Sequence, residues 1–192
     1  MSANELYNLS KQNYDNLILT FQRQNSIINL SSFNDTETIL KKHILDSLEI
    51  FNFKYFNNLL YSQSDFKIAD IGTGGGFPGL VLAIALPQIQ FFLIESKSKK
   101  CNAISNMALE LKLKNLNIIN DRVENISQKF DVSVSRAVAK YEIIYSWALN
   151  ITKDNGRIYL YKSSSESITG FNEKTEYNTD EDSRIIYEFI KN

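Results

Sequence analysis

Between residues 4 and 23 the apolar positions Leu6, Leu9, Tyr14, Leu17, Ile18 and Phe21 recur at near-helical spacing and predict an amphipathic helix. A second helix follows, capped by Asn34 or Asp35, with Ile39, Leu40, Ile44, Leu45, Leu48 and Phe51 on its inner face. Two helices therefore precede any strand, placed to cover one edge or end of a sheet. From Phe66 the period changes. FKIADIG reads as a buried strand running into a glycine-rich turn, GFPGLVLAIAL as a helix ended near Pro87, and IQFFLIE as a second apolar strand. A long amphipathic helix covers 97–113, with Ile104, Met107, Ala108 and Leu111 facing inward. LNIIN and FDVSVS are the third and fourth strands, 140–151 a further helix, and GRIYLYK a fifth strand. This alternation predicts an α/β fold, a mostly parallel sheet with helices on both faces.

The last part breaks the alternation. Only about eleven residues separate Lys162 from Lys174, too few for a crossover helix. A short helical turn is expected there, then strands near 173–177 and at Arg184–Phe189, which a short loop forces into an antiparallel hairpin.

A chain of 192 residues, 43% hydrophobic, holds the core of one α/β domain rather than two. The expected division is a helical part over 1–62 and a core over 63–192. No apolar run approaches the ~18 residues of a membrane span, and the polar N-terminus MSANELYNLSKQNYDN lacks the apolar stretch of a secretory signal. The expectation is a soluble cytoplasmic protein, with nothing that demands more than a monomer. Cys101 and His43 are each the sole residue of their type, which excludes an internal disulfide and leaves no basis for a metal site. The formal charge of −1 is unevenly placed: residues 171–192 carry a net −3 and the remainder +2. That balance argues against sequence-blind binding to naked nucleic acid, though it leaves room for a local basic patch.

The strongest chemical signal is Asp70-Ile71-Gly72-Thr73-Gly74-Gly75-Gly76-Phe77-Pro78-Gly79, at the junction of a strand and a helix, where doubly wound sheets bind ligands. Gly74, Gly76 and Gly79 satisfy the loose dinucleotide pattern G-x-G-x-x-G. Asp70 weighs against that ligand, because a carboxylate beside a pyrophosphate is a like-charge contact. Beside the ammonium and sulfonium of S-adenosylmethionine the same carboxylate is attractive. Glu95 closes the second strand 25 residues after Asp70, where an acid can accept hydrogen bonds from both ribose hydroxyls. The turn Asn120-Asp121-Arg122-Val123-Glu124 lies after the third strand, suited to an adenine or simply solvated. Val134-Ser135-Arg136-Ala137 ends the fourth strand at the lip of the same cleft. Taken alone, Arg136 reads equally as a ligand contact or a structural salt bridge.

These residues add up to a family pattern. The chain resembles the 16S rRNA guanine-N7 methyltransferases, the RsmG or glucose-inhibited division protein B family. The resemblance rests on Asn29-Leu30-Ser31, His43-Ile44-Leu45-Asp46-Ser47-Leu48, the Asp70–Gly79 loop, Glu95-Ser96 followed by Lys99-Lys100, Arg122-Val123-Glu124, and Ser135-Arg136-Ala137 with Ala139. It implies a Rossmann-like, S-adenosylmethionine-dependent methyltransferase fold acting on small-subunit ribosomal RNA. It further implies that Gly72 and Phe77 line the methionine and ribose part of the donor over a floor of Asp70 and Gly74. Glu95 would hold the ribose, and Val123 and Glu124 the adenosine end. Arg136 would close the site near the target base and count, with His43, as a catalytic candidate; Asp46 and Ser47 would lie beside it. His43 is expected to orient rather than to act as a base. Lys42, Lys99, Lys100 and Lys140 are the expected RNA contacts, with Lys41 and Lys97 beside them. The chain departs from the family at Lys162-Ser163, where Lys-Gly is usual, at Lys42, where arginine is common, and in its short segment after the fifth strand. The alternatives are a methyltransferase with another acceptor, a non-catalytic nucleoside-binding module, and a nicotinamide-dependent oxidoreductase.

Overall fold

Seven strands form one sheet in the order β3-β2-β1-β4-β5-β7-β6. They are β1 Lys67–Ile71, β2 Gln90–Ile94, β3 Leu116–Ile119, β4 Phe130–Arg136, β5 Thr152–Ser163, β6 Glu173–Asn178 and β7 Ser183–Ile190. The computed structural model describes residues 1–62, 65–136, 140–165, 168–179 and 183–192. The first five strands pair in parallel, while β7 runs antiparallel to both β5 and β6. The mostly parallel sheet and its terminal hairpin therefore agree with the sequence pattern. After β3 the chain returns across the sheet to place β4 beside β1, so β1 and β4 flank a topological switch point, the place where such sheets open a crevice.

Side chains alternate between two cores because successive strand residues point to opposite faces. Ile68, Leu93, Val132, Val134, Tyr159 and Tyr161 face one core, together with the N-terminal helices and helix Gly79–Ala85. Ala69, Ile71, Ile94, Ile158 and Leu160 face the other, under helix Tyr141–Ile151. Among the described residues no helix is long and apolar enough to cross a membrane.

The helical part is more divided than the periodicity predicts. The helix expected over 4–23 is two, Ala3–Leu9 and Lys11–Ile28, parted at Ser10, whose φ of −125° and ψ of 28° leave the helical region. Across the break Tyr7 stacks on Tyr14 and donates to Asp15 at 2.6 Å, so the apolar period continues although the backbone does not. Asn29, in the left-handed conformation, ends the second piece. Of the two expected caps Asp35 serves, accepting from the Thr38 N–H at 2.8 Å. Helix Thr36–Ile39 runs on through a π-type segment, Leu40–Leu45, into Asp46–Leu48. The stretch up to Phe51 that the second helix was expected to cover ends in a tighter turn, Glu49–Asn52. Two further short helices, Lys54–Asn58 and Leu59–Tyr61, lie beyond the predicted elements, each too short to show a period of its own. The helix after the glycine loop begins only at Gly79, and β5 starts at Thr152 rather than at Gly156. Where a helical turn was expected after β5, residues 164 and 165 form a turn, and 166 and 167 lie outside the described residues. Ala137 and Ala139 do too.

The helices do not merely cap an edge. Lys11–Ile28 packs against helix Ser98–Glu110, and Tyr161 of β5 donates to the Ser47 carbonyl at 2.7 Å. The helical stretch 36–48 is thereby fastened over the ends of β4 and β5, beside the crevice.

Candidate functional site

At the C-terminal ends of the parallel strands lies a cavity of about 570 Å³. Its wall combines the glycine loop (Gly72, Gly74, Phe77), the end of β2 (Glu95), the turn after β3 (Val123, Glu124), Arg136 of β4, and Lys42 and His43 of the π-type segment. Gly72 and Gly74 have φ of 66° and 61°, a region L side chains avoid, so glycine is what lets this turn hold its shape.

Asp70 does not line the cavity. Its carboxylate turns under the loop, where Oδ2 accepts from the Thr73 hydroxyl at 2.6 Å and the Gly79 N–H at 2.8 Å. Oδ1 is buried without a partner. Burial raises the Asp70 pKa to about 6, against the two hydrogen bonds that lower it. The floor expected of Asp70 is thus made by the loop backbone, which Asp70 shapes from beneath. Glu95, by contrast, lines the cavity. It is buried, and Oε1 accepts from the Lys97 N–H at 2.8 Å. Asn120 joins the two strand ends by donating to the carbonyls of Glu95 and Ser96 at 3.1 and 3.2 Å.

The opposite wall is aromatic and cationic. His43 stacks on Phe77 with centroids 4.5 Å apart and 14° between planes. Arg136 lies over the same Phe77 ring at 5.6 Å. Its Nη1 donates to Asp46 Oδ2 at 2.7 Å and to the Lys42 carbonyl at 3.1 Å, while Nη2 stands 3.1 Å from His43 Nδ1. A guanidinium only donates, so His43 Nδ1 carries the lone pair. The proton then sits on Nε2, directed at the Ser31 hydroxyl 3.1 Å away. The 3.1 Å approach of Nδ1 to the Lys42 carbonyl is accordingly a contact without a hydrogen. Burial, and then the Arg136 charge, lower the His43 pKa to about 3. The imidazole is neutral throughout the physiological range.

These two groups give opposite stability slopes. The raised Asp70 pKa favours the folded state below its ordinary value of 3.8, an advantage lost as pH rises through about 6. The lowered His43 pKa favours the folded state above 6.5, an advantage lost as pH falls toward about 3. Each tenfold change in acidity corresponds to about 1.4 kcal/mol, so the His43 effect is the larger. His43→Gln is expected to lose less stability than the parent between pH 6.5 and 4, read by urea denaturation across that window. Equal losses would show that His43 is not held neutral.

The lysines expected to contact substrate separate in space. Lys42 and Lys100 line the cavity, as does Lys97; Lys99 and Lys140 are exposed outside it. Lys41 pairs with Glu37 at 2.8 Å. Asp46 and Ser47 do not reach the cavity. Asp46 acts through Arg136, and the Ser47 hydroxyl donates back to the His43 carbonyl. Phe21, Phe33, Trp147 and Arg184 line the cavity without having been singled out. Phe21 and Trp147 look like core residues of helices, Phe33 lies between the two predicted helices, and Arg184 sits in an acidic tail, so nothing local marks them.

The residues fit a nucleoside with a cationic tail. A bare-backbone turn overlies a buried carboxylate oxygen with no partner, and a second carboxylate stands at the cavity wall where a diol could be held. Comparisons agree with this. Residues 10–191 match the model of the rRNA small subunit methyltransferase G family. The protein of that name from Chlorobium phaeobacteroides is 38% identical over 161 residues, 82% of this chain and 70% of its own length. That from Flavobacterium psychrophilum is 34% identical over 185 residues, 92% of this chain and 86% of its own length. For the Mycoplasma capricolum protein, 38% identical over 142 residues, the match spans 72% of this chain but only 58% of the relative. Among solved structures, a variant of MtNAS in complex with S-adenosylmethionine superposes with a TM-score of 0.60 at 13% identity, covering 99% of this chain and 78% of that one. M. jannaschii TYW2 in complex with AdoMet gives 0.54 at 12% identity, covering 75% and 81%. These two likenesses bear on the fold, which is the Rossmann-like fold of S-adenosylmethionine-dependent methyltransferases. The family match and the relatives carry the rest: this chain belongs to the rRNA small subunit methyltransferase G family.

Proposed function

We propose that this chain transfers the methyl group of S-adenosylmethionine to N7 of a guanine in 16S rRNA, on the small ribosomal subunit in the cytoplasm. The observation that carries the reading is the one cavity in which the glycine turn and Glu95 face Arg136, His43 and Phe77, in a chain of this family. Because both the helical part (1–62) and the core (63–192) supply its walls, we read them as one methyltransferase domain.

When bound, S-adenosylmethionine supplies a methyl group on a sulfonium, a leaving group that needs no further activation. Glu95 holds the ribose hydroxyls, Gly72 and Gly74 let the methionine portion approach the backbone, and Val123 and Glu124 meet the adenosine end. Phe77, stacked on His43, would line the methionine and ribose portion. Guanine N7 offers a lone pair and carries no proton, so the acceptor needs no general base. The structure of His43 suits that requirement. It is neutral, and its lone pair is engaged by Arg136, so it fixes the guanidinium rather than accepting a proton from substrate. Catalysis is then mainly positioning, which can supply up to ~7–11 kcal/mol, with fixed charges around the reacting atoms supplying the rest.

The test is transfer of labelled methyl from S-adenosylmethionine to small subunits lacking the modification, followed by nucleoside analysis. The expected product is 7-methylguanosine in 16S rRNA. Label at another atom, or in protein or small molecules only, would contradict the proposed acceptor.

A further inference from the structure

We propose that Arg184 is a substrate-binding residue that grips a backbone phosphate of the acceptor nucleotide; the inference rests on the RNA-methylating reading above. Arg184 is the second residue of β7, where it pairs in register with Ser163 of β5 and Tyr177 of β6. Because β7 is the antiparallel strand, its first residues arrive at the end of the sheet where the parallel strands finish. That places Arg184 in the cavity wall, beside Lys42 and Arg136.

The charge arrangement there is asymmetric. Asp46, whose side chain is fully buried, is shared by two guanidiniums. Arg136 takes the short contact, at 2.7 Å on Oδ2. Oδ1 is taken by the Tyr177 hydroxyl at 2.8 Å, and the Arg184 Nε is left at 3.7 Å, beyond hydrogen-bond distance. One carboxylate cannot neutralise two arginines, so the cluster of Asp46, Arg136 and Arg184 carries a surplus positive charge. It belongs to Arg184, whose side chain is 26% exposed against 9% for Arg136. Among the described residues no hydrogen bond occupies its Nη nitrogens.

The acceptor chemistry selects what such a fork can hold. The usual arginine grip on guanine spans O6 and N7, but a donor on N7 would occupy the lone pair that must attack the methyl carbon. A phosphate accepts the same two parallel N–H groups and leaves N7 free. One phosphate also supplies Arg184 with the negative charge that Asp46, taken up by Arg136 and Tyr177, does not.

The test compares the full chain with Arg184→Gln and Arg184→Lys, using small subunits as substrate and S-adenosylhomocysteine in calorimetry. Arg184→Gln is expected to raise the subunit KM about tenfold, the scale of one charge-assisted contact, with kcat and S-adenosylhomocysteine affinity unchanged. The log–log salt dependence of KM is expected to become shallower by about one. Arg184→Lys is expected to restore that salt slope while leaving part of the KM defect, since lysine is a point charge without the fork. Parental KM and salt slope in Arg184→Gln would overturn the assignment, as would a parallel loss of S-adenosylhomocysteine affinity, which marks a structural role. If the parent itself labels no rRNA, the functional reading fails and takes this inference with it. If the parent labels rRNA and Arg184→Gln is indistinguishable from it, only the role of Arg184 falls.

Discussion

Asp46→Ala is expected to cost about 3–5 kcal/mol of folding stability, the usual consequence of removing one partner from a buried ion pair. The magnitude follows from what the carboxylate holds. Arg136 has a nearly buried side chain and its short ionic contact at 2.7 Å is to Asp46. The Tyr177 hydroxyl, 2.8 Å from the other oxygen, would lose its acceptor as well. Asp46 thus ties the N-terminal helical stretch to β4, β6 and β7 at once. Urea denaturation should show a lower midpoint with an unchanged m-value, and methyl transfer should fall because Arg136 no longer holds His43 and overlies Phe77. Asp46→Asn, which keeps an oxygen for Arg136, should cost less. A loss below about 1 kcal/mol in the alanine variant, the range of a surface pair, would show that the cluster does not depend on this carboxylate.

The second large effect is expected at Gly79, the first residue of the helix that follows the glycine loop. A Cβ on this residue would lie 2.7 Å from Asp70 Oδ2 and 2.8 Å from Leu93 Cδ1 and Cγ. Both neighbours are buried, so neither gives way easily. Overpacking alone costs about 1–3 kcal/mol. Displacing the Gly79 N–H from a carboxylate that already has one oxygen unpaired adds about 1–3 kcal/mol. Because Asp70 fixes the loop from beneath through Thr73 and Gly79, Gly79→Ala should also weaken binding of S-adenosylhomocysteine at least ~tenfold, in line with that energy. Calorimetry on protein that retains its helical circular dichroism separates the two effects. Undiminished affinity would mean that the loop does not need this anchor.

Much of this architecture is legible in the sequence because the strands are short apolar runs bounded by turn residues, and the helices between them bury one stripe. Every strand of the sheet falls within two or three residues of its predicted place apart from the start of β5, where the chain enters the strand at Thr152, before the apolar run that marks it. The helical part was less legible. Ser10 breaks a period that the side chains carry through, and the π-type segment around His43 has no sequence signature distinct from an ordinary helix. The site divides in the same way. Glu95, the glycines and Arg136 are marked by their positions at strand ends. Asp70 was marked too, but its contribution is indirect: only three dimensions reveal that the carboxylate turns under the loop. The Asp46 cluster joins residues 46, 136, 177 and 184, separations that no local pattern can encode.

Titration of the protein with S-adenosylmethionine and S-adenosylhomocysteine, alongside Glu95→Ala, tests most directly whether this cavity is a donor site. One saturable site for each compound is expected, with affinity lowered at least ~tenfold by the substitution, as befits loss of a charged acceptor for two hydroxyls. No binding by folded parent protein, or equal binding by Glu95→Ala, would contradict the account.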